Sequence, residues 1–210
     1  MIRVVIADDH TLLRDGIRQI LSQHGDIQVT GEAANGHEAL NLIRQQDCDV
    51  LLLDMAMPGR SGLELLKQIR HEAPRVRVLV LSMQKESQYA VRCLKAGAAG
   101  YLCKDSAASD LVRALCKVAD GGSYVGSSVA ENIAAALTMN LDVEPHAQLS
   151  DREFEVFRLL ATGHGTTTIA RQLHLSVKTV SAHKGRILQK MNLANTADLV
   201  RYAFARQLVQ

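Results

Sequence analysis

Residues 50–62 read VLLLDMAMPGRSG. Four apolar residues, Val50 to Leu53, run without alternation into a carboxylate at Asp54, and a proline and two glycines follow. A short apolar run bounded by turn residues reads as a strand covered on both faces. Solubility does not explain an acid at the end of such a strand, because any surface position would serve that purpose.

Outward from this stretch, similar runs recur at Ile2–Ala7, Ile27–Gly31, Val76–Leu81 and Gly100–Leu102. Between and after the five runs lie segments of helical period: Thr11–Gln23, Gly36–Gln46, Gly62–Glu72, Glu86–Ala96 and Ser106–Ala119, the last with Ser106 or Ser109 as its cap. Five β-α units with right-handed crossovers predict a doubly wound parallel sheet. Gly121-Gly122 stops the pattern, residues 127–140 read as one more helix, and LDVEPHAQ (141–148) reads as an exposed linker. From Leu149 onward only helical signals remain, at Asp151–Thr162, Thr167–Leu173, Val177–Met191 and Thr196–Gln207. The expected domains are residues 1–121, a helix and linker over 122–147, and a small all-α domain over 148–210.

Composition narrows the function. Hydrophobic residues make up 47% of the 210 residues, aromatics only 3%, and no apolar run approaches the ~20 residues of a membrane span. The opening MIRVVIADDH does not read as a secretory signal. Cys48, Cys93, Cys103 and Cys116 are widely spaced, which fits buried thiols in a reducing cytoplasm better than a disulfide frame or a zinc site. Net charge is +2, unevenly spread. Residues 1–147 hold 15 Lys+Arg against 18 Asp+Glu, whereas residues 148–210 hold 9 against 4. A basic third on an acidic body points to nucleic acid as its partner.

In open α/β sheets, ligands sit at the carboxyl ends of the strands. Those ends carry Asp8-Asp9, Asp54, Ser82 and Lys104. One acid after a strand is ordinarily just the start of a loop, and an acid pair before Thr11 a helix cap. Four such placements on one rim are harder to set aside. Clustered carboxylates need a cation among them, and oxygen ligands with an open coordination sphere suit Mg²⁺. A metal, a Lys and a hydroxyl around one acid form a receptacle for a phosphoryl group, with Asp54 as nucleophile toward phosphorus.

The blocks VVIADDH, LLLDMAMPGRSG, VLVLS and AGAAGYLCKD resemble those of bacterial response-regulator receiver domains, in order and spacing, over residues 1 to about 120. The resemblance implies a flavodoxin-like sheet of strand order 2-1-3-4-5 and Asp54 as phospho-acceptor. By the same match, Asp8 and Asp9 hold Mg²⁺ together with Asp54 and the Ala56 backbone carbonyl, with Asp9 the more direct ligand of the pair. Lys104 pairs with the phosphoryl oxygens, Ser82 donates a hydrogen bond to them, and Tyr101 is the aromatic switch. Pro58 and Gly59 shape the loop after the acid, and Met57 and Gly62 fit the pattern too. Ala56 stands where many relatives carry a polar side chain, and Cys103 where an aliphatic is more usual. A phosphatase attacking through its Asp would carry a second acid two residues later, and Ala56 counts against that.

Residues 149–199 supply the second signal. Ser150 and Glu153 form a capping box, His174-Leu175-Ser176 a tight turn, and Ser176 caps the long helix that begins at Val177. That layout places a recognition helix in the DNA major groove. One face carries Val180, Ile187 and Met191, bordered by His183 and Leu188; the other shows Lys178, Ser181, Ala182, Lys184, Gly185 and Arg186. The block resembles the helix-turn-helix of LuxR/NarL/FixJ regulators, through L-S-x-R-E-x-E-V, I-A-x-x-L-x-L-S-x-K-T-V and H-x-x-x-I-x-x-K. The DNA-contacting residues implied are Thr167, Lys178, Thr179, Ser181, Ala182, Lys184, Gly185, Arg186 and Lys190. The chain departs at Gly165 to Thr168, where relatives commonly show a polar-Lys-Glu run.

Together these imply a cytoplasmic two-component transcription factor, not an enzyme, phosphorylated by a sensor histidine kinase. It binds double-stranded promoter DNA as a homodimer and does not enter a membrane. The rival reading is a receiver that acts through protein contacts without phosphate. In the last helix, Leu199, Val200, Ala203 and Phe204 form an expected dimer face, with packing onto the helix's own domain expected to take some of them.

Overall fold

The computed structural model describes residues 1–58, 61–83, 87–127, 129–131, 145–206 and 208–209. The chain divides into two units, Met1–Ala135 and Ala136–Gln210.

In the first unit, strands β1 (Ile2–Ala7), β2 (Ile27–Ala33), β3 (Val50–Asp54), β4 (Arg77–Ser82), β5 (Gly100–Cys103) and β6 (Tyr124–Val125) form one sheet. All neighbouring pairs are parallel, in the order β2-β1-β3-β4-β5-β6. The helices are α1 (Thr11–Ser22), α2 (Gly36–Gln45), α3 (Gly62–Glu72), α4 (Ser87–Lys95) and α5 (Ala108–Ala119). Val4, Ile6, Val50, Leu52, Leu79 and Leu81 share one core with Ile17, Leu21, Leu111 and Leu115. The alternate residues Val5, Leu51, Leu53, Val78 and Val80 are as fully buried. A strand whose inward and outward residues are both buried shows no alternation, hence the continuous run in VLLLD.

Several details differ from expectation. Each of β2 to β5 runs at least one residue further at its carboxyl end, because parallel pairing continues past the last aliphatic residue: Ala7 pairs with Ala33, Asp54 with Leu81 and Ser82 with Cys103. Helix α5 starts at Ala108, with Ala107 as N-cap and no side-chain cap hydrogen bond, so neither Ser106 nor Ser109 caps it. The sheet has a sixth strand, β6, which pairs Tyr124 with Gly100 and Val125 with Tyr101. Gly121 turns the chain out of α5 with φ of +85°, a conformation L side chains rarely adopt, and thereby aims it back at the sheet edge. Of the helix expected over 127–140, residues 127 and 129–131 are helical and the rest lies outside the described residues.

The second unit holds α6 (Asp151–Ala161), α7 (Thr166–Gln172), α8 (Val177–Lys190) and α9 (Thr196–Ala205) around Phe154, Phe157, Ile169, Val180, Ile187 and Leu199, each 0% exposed. The capping box is formed in both directions: the Glu153 amide donates to Ser150 Oγ at 3.3 Å and the Ser150 amide to Glu153 Oε2 at 2.9 Å. The linker corrects an expectation. Of the linker expected over 141–148, residues 141–144 lie outside the described residues; Pro145–Gln148 is a 3-10 turn in which Ala147 and Gln148 are exposed as expected, but His146 is buried against Phe154, its Nδ1 2.6 Å from the Tyr202 hydroxyl. In α9, Leu199 and Ala203 are buried in their own domain, which removes them from the expected dimer face; Phe204 stays exposed.

Candidate functional site

Sheet register assembles the first site. Ala7 pairs with Leu53, so Asp8, one residue past the end of β1, arrives beside Asp54 at the end of β3. Asp54 pairs with Leu81, one residue before Ser82. Ser82 pairs with Cys103, which brings Lys104 to the same rim, its amide donating to the Ser82 carbonyl at 2.9 Å. Helix α3 closes in behind the acid: Ser61 caps it, and a Cβ on Gly62 would stand 2.8 Å from the Met55 carbonyl oxygen, so only glycine permits this approach.

Asp8, Asp54 and Ser82 are at most 4% exposed, and Tyr101 is fully buried. Lys104 Nζ lies 2.6 Å from Asp8 Oδ2 and 2.8 Å from Asp54 Oδ2, bridging the two buried acids rather than serving Asp54 alone. The Ala56 amide donates to Asp54 Oδ1 at 3.0 Å. Burial pushes the Asp54 carboxyl above its ordinary range, and the Asp8 charge adds to this; the Lys104 and Ala56 hydrogen bonds oppose it without winning. Burial would drive the Lys104 ammonium down, but its bonds to Asp54 and Asp8 prevail and hold it above its usual value. Lys104 thus stays charged while the acids around it remain short of positive charge.

Asp9 is more open and sits by His10, whose Nδ1 is 2.9 Å from Asp9 Oδ1 and 3.1 Å from Asp8 Oδ1. One ligand atom from each of Asp8, Asp9, His10 and Asp54 lies within 4.8 Å of the other three. Three carboxylates against one ammonium leave negative charge for a cation to balance, and a hard, oxygen-rich donor set fits Mg²⁺. The sequence reading overlooked His10, although its position directly after the acid pair was the available signal.

In the second unit, Val180 and Ile187 of α8 and Met191 just after it are buried, while Lys178, Ser181, Ala182, Gly185 and Arg186 are exposed. Lys184 and Thr179 are half-buried, and Thr167 is exposed on α7. The Thr179 amide donates to Ser176 Oγ at 3.0 Å, fixing the start of α8. The turn before it uses His174 in the left-handed region, φ of 52°. Lys190 differs from its eight companions: its ammonium lies 2.6 Å from Glu153 Oε2, inside the capping box of α6. His183 carries an imidazole held below its ordinary pKa by burial and by Arg186.

Comparison with known proteins finds a family for each of the two units. Residues 4–116 match the response regulator receiver domain, and residues 147–203 match the luxR family of bacterial regulatory proteins. The oxygen regulatory protein NreC of Staphylococcus epidermidis is 38% identical over 99% of each chain. A solved structure of RcsB from Salmonella enterica serovar Typhimurium, bound to promoter DNA in the presence of the phosphomimetic BeF3-, superposes with a TM-score of 0.71 at 32% identity over 96% of this chain and 97% of that one. A structure of two RcsB dimers bound to two parallel DNAs gives 0.62 at 31% identity over 96% of each chain. The chain belongs to the response regulators that join a receiver domain to a LuxR-type helix-turn-helix domain. It is a DNA-binding transcriptional regulator rather than an enzyme, and receiver domains bind Mg²⁺ at this acidic pocket. No helix among the described residues is long and apolar enough to cross a membrane.

Proposed function

We propose that Asp54 accepts a phosphoryl group from the phosphohistidine of a sensor kinase and that the acyl phosphate switches DNA binding by the C-terminal domain. The observation that carries this reading is the Lys104 ammonium bridging two buried carboxylates at the carboxyl edge of a rigid sheet. In the transfer, an ionised Asp54 oxygen bonds to phosphorus, the phosphorus–nitrogen bond breaks, and its electron pair returns to the donor imidazole. Asp8, Asp9, Asp54 and the Ala56 carbonyl would hold Mg²⁺, which supplies charge neutralisation at the phosphoryl oxygens. Lys104 pairs with those oxygens, Ser82 donates a hydrogen bond, and the buried Tyr101 ring is the switch element.

On the DNA side, Lys178, Lys184 and Arg186 neutralise phosphates, and Thr167 and Thr179 add hydroxyl contacts. Ser181, Ala182 and Gly185 admit the α8 backbone to the groove floor. Lys190 is withdrawn from the contact set because Glu153 engages it. The working form is a homodimer in the cytoplasm, as the RcsB dimers on DNA suggest. The receiver, expected over residues 1–121, extends at least to Val125, because β6 joins its sheet, and the connecting segment follows. The DNA-binding domain starts at the turn Pro145–Gln148, anchored by the buried His146, three residues before the boundary expected at 148.

Incubation with Mg²⁺ and a small-molecule phosphodonor, followed by intact mass, tests the reading. One added phosphoryl group is expected on the wild type and none on Asp54→Asn. An unmodified wild type would overturn it.

A further inference from the structure

Asp8 and Asp9 follow β1 directly, and both carboxylates project from the one peptide unit that joins these residues. The chain holds that unit from the end of β2. The Asp8 amide donates to the Ala33 carbonyl at 3.0 Å. The Asp8 carbonyl, which belongs to the Asp8–Asp9 peptide, accepts from Arg14 Nη1 at 2.6 Å. Arg14 Nε in turn donates at 3.3 Å to Oε2 of Glu32, the residue before Ala33. Arg14 lies in the first turn of α1, and its side chain is only 13% exposed. A guanidinium is a rigid planar fork that serves two acceptors at fixed angles, whereas an ammonium is a point donor on a flexible stem. Bound to Asp8 and Glu32 together, Arg14 fixes the plane of the peptide that carries both acids.

We propose that Arg14 is a positioning residue of the acid pocket: by holding the Asp8 carbonyl it presets Asp8 and Asp9 for Mg²⁺. The proposal rests on the reading of Asp8, Asp9 and Asp54 as the Mg²⁺ site. Preordered ligands lose less conformational freedom when the ion arrives. Asp9 depends on this most, because its side chain is 33% exposed, whereas Asp8 is also held by Lys104. The charge of Arg14 acts in the opposite sense, since a cation beside the turn repels Mg²⁺. Removing Arg14 therefore weakens Mg²⁺ binding if positioning governs, and tightens it if charge governs.

The test compares the full chain with Arg14→Met, which removes both bonds and the charge, and with Arg14→Lys, which keeps the charge but cannot serve Asp8 and Glu32 together. Calorimetry gives Mg²⁺ affinity, urea unfolding without Mg²⁺ checks the fold, and a small-molecule phosphodonor gives the Mg²⁺ dependence of phosphorylation. Arg14→Met is expected to bind Mg²⁺ about tenfold more weakly, and Arg14→Lys about threefold. The Mg²⁺ concentration for half-maximal phosphorylation is expected to rise in step, with the rate at saturating Mg²⁺ held within about twofold. An Arg14→Met variant that binds Mg²⁺ as tightly as wild type, or more tightly, overturns the assignment. If Arg14→Met does not fold, Arg14→Lys decides, and wild-type affinity there overturns it equally. A wild type that binds no Mg²⁺ overturns the metal site itself, and the role of Arg14 with it.

Discussion

Lys190 divides the recognition helix between two uses, and replacing it measures which one governs. Its ammonium donates to Glu153 Oε2 at 2.6 Å, and Glu153 is only 3% exposed. That carboxylate is pushed up by burial, but the bonds from Lys190 and Ser150 prevail and hold it below its ordinary value. The sign follows: a depressed folded pKa contributes stability above the unfolded value of 4.5 and loses it as pH falls through the lower folded value. Lys190→Met keeps the stem and removes the charge, leaving a buried acid with Ser150 as its partner in the capping box.

Removing one partner of a fully buried pair costs about 3 to 5 kcal/mol. The Lys190 side chain is 40% exposed, so water screens the pair and about 1 to 2 kcal/mol is the expected loss. For a domain of this size that lowers the melting temperature by about 5 to 10 °C. Calorimetry of the full chain is the assay: the C-terminal transition moves and the receiver transition does not. Salt titration of binding to an arbitrary duplex gives the complementary readout. Each phosphate contact contributes about 0.9 to the slope of log affinity against log salt, so Lys178→Met lowers the slope by about that amount and Lys190→Met leaves it unchanged. An unchanged melting temperature with a reduced slope for Lys190→Met would refute the structural assignment and return Lys190 to the DNA.

Gly185→Ala separates helix stability from groove approach: a Cβ there meets nothing within 4 Å, so α8 gains about 0.5 to 1 kcal/mol in urea unfolding while affinity for duplex DNA falls. A gain in both would remove Gly185 from the interface. Gly62→Ala forces a Cβ to 2.8 Å from the Met55 carbonyl oxygen and costs the receiver about 1 to 3 kcal/mol, read in the same denaturation experiment. A neutral result would mean that α3 is not held at that distance. Asp54→Asn in EDTA removes an acid whose folded pKa is raised, a state favoured as pH falls and penalised as it rises. The variant receiver is therefore expected to be more stable than wild type at neutral pH, the difference shrinking toward pH 4; a wild type that is the more stable at neutral pH would contradict it.

The strands and the rim were legible because a parallel sheet covered on both faces writes itself as unbroken aliphatic runs, each ending where a ligand can sit. VLLLD is the clearest case, and Asp8, Asp54, Ser82 and Lys104 all lie where the run-ends place them. What pattern cannot carry is pairing between distant residues. Tyr124–Val125 is too short to show a period, and its place depends on a turn at Gly121. Lys190 sits on α8 where a cation would be expected to face DNA, yet its partner lies 37 residues earlier. His146 reads as linker because PHAQ is polar, and only the packing of Phe154 and Tyr202 reveals a buried ring.

The Lys104 bridge gives the proposed switch a physical cause. One ammonium is shared between Asp8 Oδ2 and Asp54 Oδ2, at nearly equal distances. Phosphorylation would replace a single carboxylate charge on Asp54 with a group carrying about −1.5 to −2, and would extend it outward from the strand end. Lys104 would then be drawn toward the phosphoryl oxygens, and Asp8 would depend more on the cation it shares with Asp9. The strain of that exchange would fall on β4 and β5, because Lys104, which directly follows β5, is tied by its amide to Ser82, and Tyr101 lies in β5. A charge change confined to one carboxylate would thereby reach the two residues proposed for the switch without a separate relay.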